Sequence, residues 1–239
     1  MVIYVAIQIR WTVVTLRTFA AAKKRVMPAD DALPKTAVIV CLRGCDPSLK
    51  GCMEGLLSQN YPDFKLFTVI DAEDDPAAPV MRSLAEQYPA EKLEIQYLTE
   101  RLKTCSLKNS SQLQVLRHLD PSFQAIVFVD SDADTPDDFL RKLVAPLVTD
   151  EADVSTGVRW FRRNSPGMGS ISRYFWNMVT STVMGYFRMP WGGAMAVSRE
   201  FVERADLIGV LETCICEDVP IGQQIHKHGA KLAVADIVR

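Results

Sequence analysis

Five consecutive apolar residues, Ala125-Ile126-Val127-Phe128-Val129, run without a break into Asp130-Ser131-Asp132-Ala133-Asp134. A short apolar run of this kind reads as a buried strand. Ending it in carboxylates is costly unless the acids meet a cation. Asp130 and Asp132 stand two apart at the mouth of that strand. Hard oxygen ligands so spaced suit Mg²⁺ or Mn²⁺, a cation that takes one or two carboxylates together with substrate phosphates. The feature therefore constrains two things at once. It asks for a sheet whose strand ends open on a crevice, and for a diphosphate to be handled there.

The rest of the chain supplies such a sheet. Ala37–Leu42, Lys65–Ile70 and Leu93–Leu98 read as strands. Between and after them Leu49–Gln59, Pro76–Gln87, Lys108–His118 and Asp137–Leu147 have helical spacing, with Ser48 predicted to cap the first. Strands alternating with helices of this length imply βαβ units and an α/β fold with a mainly parallel central sheet. Ligands of such sheets bind outside the carboxyl ends of the strands. Asp71 and Asp130 both fall at predicted strand ends, so one crevice can hold both. Further on, Val154–Trp160 reads as a strand, Arg162–Ser170 as a loop, and Ile171–Phe187 as a helix. Trp191-Gly192-Gly193 reads as a turn entering a strand, and Asp218–Lys227 as a helix. Residues 26–35, with two prolines and two acids, read as a linker.

Bulk properties narrow the partners. The 239 residues are 48% hydrophobic and 23% charged, with a net charge of −2. That balance fits a globular domain and argues against nucleic-acid binding, which needs a basic surface. The six cysteines form no disulfide framework and read as reduced thiols. Cys214-x-Cys216 with His226-x-His228 does not match the usual zinc spacing. An extended Thr213–Cys216 would put both thiols on one packed face, and the two histidines read as surface residues. Met1–Ala22 is apolar but interrupted by Arg10 and Arg17, which fails the test for a membrane span. With Lys24 these share one helical face, so the segment reads either as an in-plane helix on anionic lipid or as a helix packed on the protein.

Several positions have two readings. Asp130 and Asp132 can be metal- and donor-facing or merely solvated strand-end acids. Asp134 reads with Pro136 as part of the next helix start. Asp71 lies in an acid-rich turn with Glu73, Asp74 and Asp75. Glu217 and Asp218 can be a functional pair or acids favoured by a helix N-terminus. The stripe Ile171, Phe175, Met178, Val179, Thr182 and Tyr186 is core or a lipid-facing acceptor region. Arg159, Arg162 and Arg163 can meet donor phosphate, headgroups or water.

Read in order, the segments Val40–Leu49, Ser58-Gln59-Asn60-Tyr61-Pro62, Asp71–Ala77, Asp130-Ser131-Asp132, Trp191-Gly192-Gly193 and Glu217-Asp218 resemble the family-2 glycosyltransferases. Among these the likeness is to the ceramide glucosyltransferase-like and hopanoid-associated branch. It covers about residues 36–236 and implies a GT-A fold and an inverting transferase using a nucleotide-diphosphate sugar, with a UDP-sugar as the expected donor. It implies that Asp71, Asp130, Lys108 and Arg43 face the nucleotide sugar, that Asp132 binds Mg²⁺ or Mn²⁺, and that Asp218 is the general base. Trp191, Gly192, Gly193 and Glu217 would line the acceptor and sugar pocket. The expected acceptor is lipid-like, at a membrane surface, with the catalytic domain facing the cytosol. Physical chemistry runs parallel to this. A divalent cation neutralises the departing diphosphate, and a carboxylate must take the proton of the acceptor hydroxyl.

The expected organisation is an apolar and basic helix with its linker over residues 1–35 and a GT-A domain over residues 36–239. The QxxRW-type motif and membrane helices of that branch are not found in this sequence, so a fragment of a longer protein is expected. Two other classes remain open. A nucleotidyltransferase also uses strand-end acids and a metal, but Arg43-Gly44 is a thin version of its Gly-rich loop and Glu217-Asp218 has no task there. A catalytically silent nucleotide-binding domain is the other.

Overall fold

The computed structural model describes residues 2–149, 152–158, 166–187 and 189–238. Helix α1 (Val2–Lys23) leads through a 3₁₀ turn at Asp30–Ala32 into β1 (Thr36–Leu42), α2 (Leu49–Leu57) and β2 (Phe64–Ile70). Then come α3 (Ala77–Ala85), β3 (Leu93–Tyr97), α4 (Leu107–Leu116), β4 (Ala125–Val129) and α5 (Phe139–Val148). The second half holds β5 (Val154–Val158), α6 (Met168–Phe187), β6 (Ala194–Ser198), α7 (Arg199–Arg204), α8 (Leu207–Leu211), α9 (Asp218–Lys227) and β7 (Leu232–Val238).

The strands form one seven-stranded sheet in the order β3-β2-β1-β4-β6-β5-β7. Pairings are parallel from β3 to β4 and between β5 and β7, while β6 runs against both of its neighbours. The central strands are apolar throughout because both of their faces are covered. Val38, Val40 and Leu42 of β1, with Val127 and Val129 of β4, face a core that α2, α3 and α5 complete. Ala37 and Ile39, with Ile126 and Phe128, face a second core closed by α4, α7, α8 and α9.

Strand order reverses between β1, which continues outward to β2, and β4, which begins the other half. That reversal opens a crevice at the carboxyl ends of β1 and β4. The reversed strand then does something a parallel one would not. Its amino end pairs with the carboxyl end of β4 (Val129 opposite Ala194), and the Asp130 N–H donates to the Gly193 carbonyl at 3.1 Å. The turn at 191–193 is thereby fixed at the mouth of the crevice.

Some expectations are corrected. Ser48 does not cap α2; its own N–H and hydroxyl donate to Asp46 Oδ1 at 2.8 and 2.6 Å. Asp134 is exposed and does not start a helix, since α5 begins only at Phe139. The 26–35 segment, read as a linker, makes specific contacts with the domain. Arg141 donates to the Pro28 carbonyl and pairs with Asp30 at 2.6 Å, and Leu33 is buried. Strand β7 and helices α7 and α8 lie in stretches to which the sequence reading assigned no element. Helix α1 packs on α6 and β7, and no helix among the described residues is long and apolar enough to cross a membrane.

Candidate active site

The crevice is built from strand ends outward. Asp130 follows β4 directly. Its Oδ1 accepts from the Lys108 ammonium at 2.7 Å. Lys108 lies in the first turn of α4, which starts where Ser106 Oγ accepts from the Asn109 N–H at 3.1 Å. The same ammonium lies 2.5 Å from Glu217 Oε1. The two groups form a close ion pair. Glu217 is 3% exposed, and a carboxylate this buried requires such a partner. Burial pulls the Lys108 pKa down, but Glu217 and Asp130 outweigh it and hold the ammonium above the ordinary lysine range.

Asp218 follows Glu217 at the start of α9, and its Oδ1 accepts from the Gly192 N–H at 2.8 Å. Burial raises its pKa from 3.8 to about 6; the Glu217 charge adds to the rise, while Lys108 and the Gly192 hydrogen bond oppose it. The two glycines of the turn are needed for space, since neither has a left-handed backbone. A Cβ on Gly192 would collide with the carboxylates of both Glu217 and Asp218. A Cβ on Gly193 would collide with the Trp191 ring and with Asp130. The structure thus brings Lys108, Asp130, Trp191, Gly192, Gly193, Glu217 and Asp218 together from four elements.

Asp71 sits two strands away along the same sheet edge, after β2, where its N–H donates to the Leu42 carbonyl at 2.9 Å. It is held by Arg101, whose Nη2 donates to its carbonyl at 2.8 Å and to Oδ1 at 3.1 Å. Arg43 approaches it more loosely, Nε to Oδ2 at 3.7 Å. Asp132 is exposed in the turn after β4, where the Ala133 N–H donates to the Asp130 carbonyl. Among the described residues no group of three or more His, Cys, Asp or Glu side chains is arranged to hold a metal. Asp132 and the acids near it could hold Mg²⁺ or Mn²⁺ only in the manner of a site completed by phosphate oxygens.

Arg101 escaped the sequence reading, and so did the roles of Asp75 and Gln59. Arg101 lies in a loop without periodicity. Asp75 accepts from the Gly44 N–H at 3.0 and 2.9 Å and from the Ala77 N–H, tying the loop after β1 to the start of α3. Gln59 is buried and stitches α2 to the loop that carries Asp132. Its Nε2 donates to the Pro136 carbonyl at 2.7 Å, and its Oε1 accepts from the Leu140 N–H at 2.7 Å.

The thiols do not form the packed pair expected of an extended 213–216. Cys214 is half-buried, with Asn109 Nδ2 donating to its carbonyl at 2.9 Å, and Cys216 is exposed. Burial pushes the Cys41 and Cys52 thiols up to about 12, so they stay protonated. His226 is exposed and bonds the Phe187 carbonyl at 2.9 Å, while His228 is half-buried against the Phe201 ring. On α6, Phe175 and Val179 of the predicted stripe are exposed, and so are Met168, Trp176 and Phe187. The side chains of Met178, Thr182 and Tyr186, and residues Arg159, Arg162 and Arg163, lie outside the described residues.

Comparison with known proteins gives this arrangement a context. Residues 1–238 match the family model described as Glycosyl transferase family 21. A ceramide glucosyltransferase of Candida albicans is 33% identical over 75 residues, 30% of this chain and 13% of that protein. One from Komagataella phaffii is 25% identical over 68 residues, 28% of this chain and 13% of that protein. The matched segments thus span only about one eighth of these relatives' length. Among solved structures, a mannosyltransferase from Pyrobaculum calidifontis in complex with GDP-Man and Mn²⁺ superimposes with a TM-score of 0.61 at 21% identity, covering 98% of this chain and 67% of that one. Glucosyl-3-phosphoglycerate synthase from Mycobacterium tuberculosis in complex with UDP gives 0.59 at 16% identity, covering 90% and 77%. The fold is GT-A.

Proposed function

The chain belongs to glycosyl transferase family 21, and from that premise we propose that it transfers a hexose from a nucleotide-diphosphate sugar to an acceptor hydroxyl with inversion. The family is numbered 21, where the sequence resemblance pointed to family 2. The observation that carries the mechanism is the pairing of a half-buried carboxylate, Asp218, with the glycine turn beside the donor-side acid Asp130.

Asp218 is the general base. It takes the proton of the acceptor hydroxyl as that oxygen bonds to the anomeric carbon. The anomeric bond to the diphosphate breaks, and its electron pair leaves with the nucleotide. One displacement from the face opposite the leaving group inverts the centre. A base with a pKa of about 6 is ionised at neutral pH yet basic enough to share a proton in the transition state. Asp71, with Arg43 and Arg101, lies where a nucleoside would be received, and Asp130 and Lys108 lie nearer the reacting end. Trp191, Gly192, Gly193 and Glu217 wall the sugar and acceptor pocket.

Asp130, Glu217 and Asp218 outnumber the single cation Lys108, so a diphosphate needs further positive charge to enter. Asp132 would hold Mg²⁺ or Mn²⁺, which supplies Lewis-acid stabilisation of the departing diphosphate. A UDP-sugar and a lipid-like acceptor are the reading that the ceramide glucosyltransferase relatives favour, on that side of the resemblance rather than the hopanoid-associated one. The α6 face bearing Phe175, Trp176, Val179 and Phe187, with Trp176 75% exposed, would rest on a membrane at its cytosolic side. Residues 36–239 are then the catalytic domain, and α1 is a helix docked on it.

The test is calorimetric titration of UDP-glucose and GDP-mannose with and without Mn²⁺. Mn²⁺ is expected to tighten binding in the wild type and to have no effect in Asp132→Asn. Equal Mn²⁺ dependence in both would remove Asp132 from the metal site, and no binding of either sugar nucleotide would sink the transferase reading. Flotation with anionic phosphatidylserine vesicles tests the membrane face. Unchanged flotation of a Phe175→Ser/Trp176→Ser variant would defeat it.

A further inference from the structure

Lys108 occupies a place where elementary electrostatics disfavours a lysine. It is in the first turn of a ten-residue helix, at the end where the macrodipole is positive and cations are destabilised. It is also half-buried, with 36% of its side chain exposed. Two carboxylates make that position tolerable, and they come from opposite sides of the crevice. Asp130, at 2.7 Å, follows β4 and faces the donor side. Glu217, at 2.5 Å, is the residue to which the proposed base is joined.

We infer that Lys108 is a positioning residue, a clamp that ties Glu217 to Asp130 and so holds the neighbouring Asp218 in place and ionised for proton transfer. The inference rests on the reading of Asp218 as base and adds to it a second group that governs when the base is competent. Without the ammonium, Asp130 and Glu217 would face each other as uncompensated like charges, and both would bear on Asp218. Those two acids, Lys108 and the Gly192 N–H are the charged and polar groups that act on Asp218, and of them only Lys108 and Gly192 favour its anion. Gly192 lies so close to both carboxylates that a Cβ there would collide with them. Movement of Glu217 would therefore disturb the one hydrogen bond Asp218 receives.

The clamp predicts opposite displacements from its two halves. The ionisation of Asp218 can be followed without any substrate through carboxyl ¹³C shifts of the whole labelled protein between pH 4 and 9, with the resonance assigned by its loss in Asp218→Asn. The wild-type midpoint is expected near 6. In Lys108→Met it should rise by about 1 unit or more, because a neighbouring cation has been removed. In Glu217→Gln it should fall, because a neighbouring anion has been removed. Lys108→Arg should stay near the wild type. An unmoved midpoint in Lys108→Met, or shifts of the same sign in Lys108→Met and Glu217→Gln, would overturn the clamp. If Lys108→Met does not fold, Glu217→Gln decides alone, and a midpoint that does not fall overturns it. Failure of the transferase reading looks different: the titrations would behave as expected while Asp218→Asn leaves UDP-glucose turnover intact.

Discussion

The two ends of the crevice are made of similar residues and treated differently. At the β4–β6–α9 end, Asp130, Glu217 and Asp218 crowd around one half-buried lysine and two glycines, with Glu217 almost fully out of water. At the β1–β2 end, Asp71 meets Arg101 and Arg43, whose side chains are 54% and 71% exposed. Both ends pair acids with bases. Asp71 is itself sheltered, with 17% of its side chain exposed, but only the first end also half-buries the basic partner and buries a second acid, Glu217, and such withdrawal from solvent makes a charge costly enough to tune a proton acceptor. The exposed end suits recognition, where contacts must form and release. The crowded end suits bond making.

If that division is right, substitutions at the crowded end change turnover and those at the open end change affinity. The largest effect is expected for Asp218→Asn. Transfer should fall about 10²-fold or more while donor binding is kept, and normal turnover would end the role of Asp218 as base. Wild-type activity should itself decline as pH drops through about 6. The same substitution should alter stability with a definite sign. The folded pKa of Asp218 lies above the unfolded 3.8, so its contribution is fully present below pH 3.8 and is lost as pH rises through about 6. Asparagine, neutral throughout, should raise stability at pH 8 relative to the wild type by up to about 3 kcal/mol, with little gain at pH 3.5. Thermal melts at the two pH values measure this.

Gly192→Ala comes next. Its methyl group meets two carboxylates, so a destabilisation of about 1–3 kcal/mol and a loss of transfer of about tenfold are expected. Gly51→Ala, on a helix surface with nothing within 4 Å, serves as its unclashed control and should stabilise by up to about 1 kcal/mol. The smallest effect belongs to the open end. Arg101→Ala should raise the donor KM by no more than about fivefold, the worth of an exposed ion pair, and leave kcat alone. A fall in kcat instead would erase the distinction between the two ends.

Most of the framework could be read in the chain because burial on both faces writes strands as apolar runs. Ala125–Val129 and the helix start at Asp218 coincide with the observed elements, and β1 and β2 begin one residue earlier than read. The acids that end those strands were legible for the same reason, as polar residues abruptly following runs that could not tolerate them. What was not legible depends on pairs far apart. The meeting of Lys108 with Glu217 leaves no local pattern. The direction of β6 was hidden as well, since an apolar run looks alike in either direction. Arg101 and Gln59 act through backbone carbonyls and loop N–H groups, contacts for which many side chains would look equally suitable in a sequence. Helices α7 and α8, of six and five residues, are too short to display a period.

The hydrogen bond from Asp130 to Gly193 has an evolutionary corollary. The chain departs from the crevice at the first residue and returns to it at the second, so everything between them is an excursion whose two ends are stitched together. Lengthening such an excursion costs little, because closure entropy grows only with the logarithm of its length. The stretch that includes the aromatic α6 can therefore be enlarged, trimmed or exchanged between relatives while the chemistry stays anchored. On the reading proposed for α6, a scaffold of this kind would let acceptor preference diverge at its own pace.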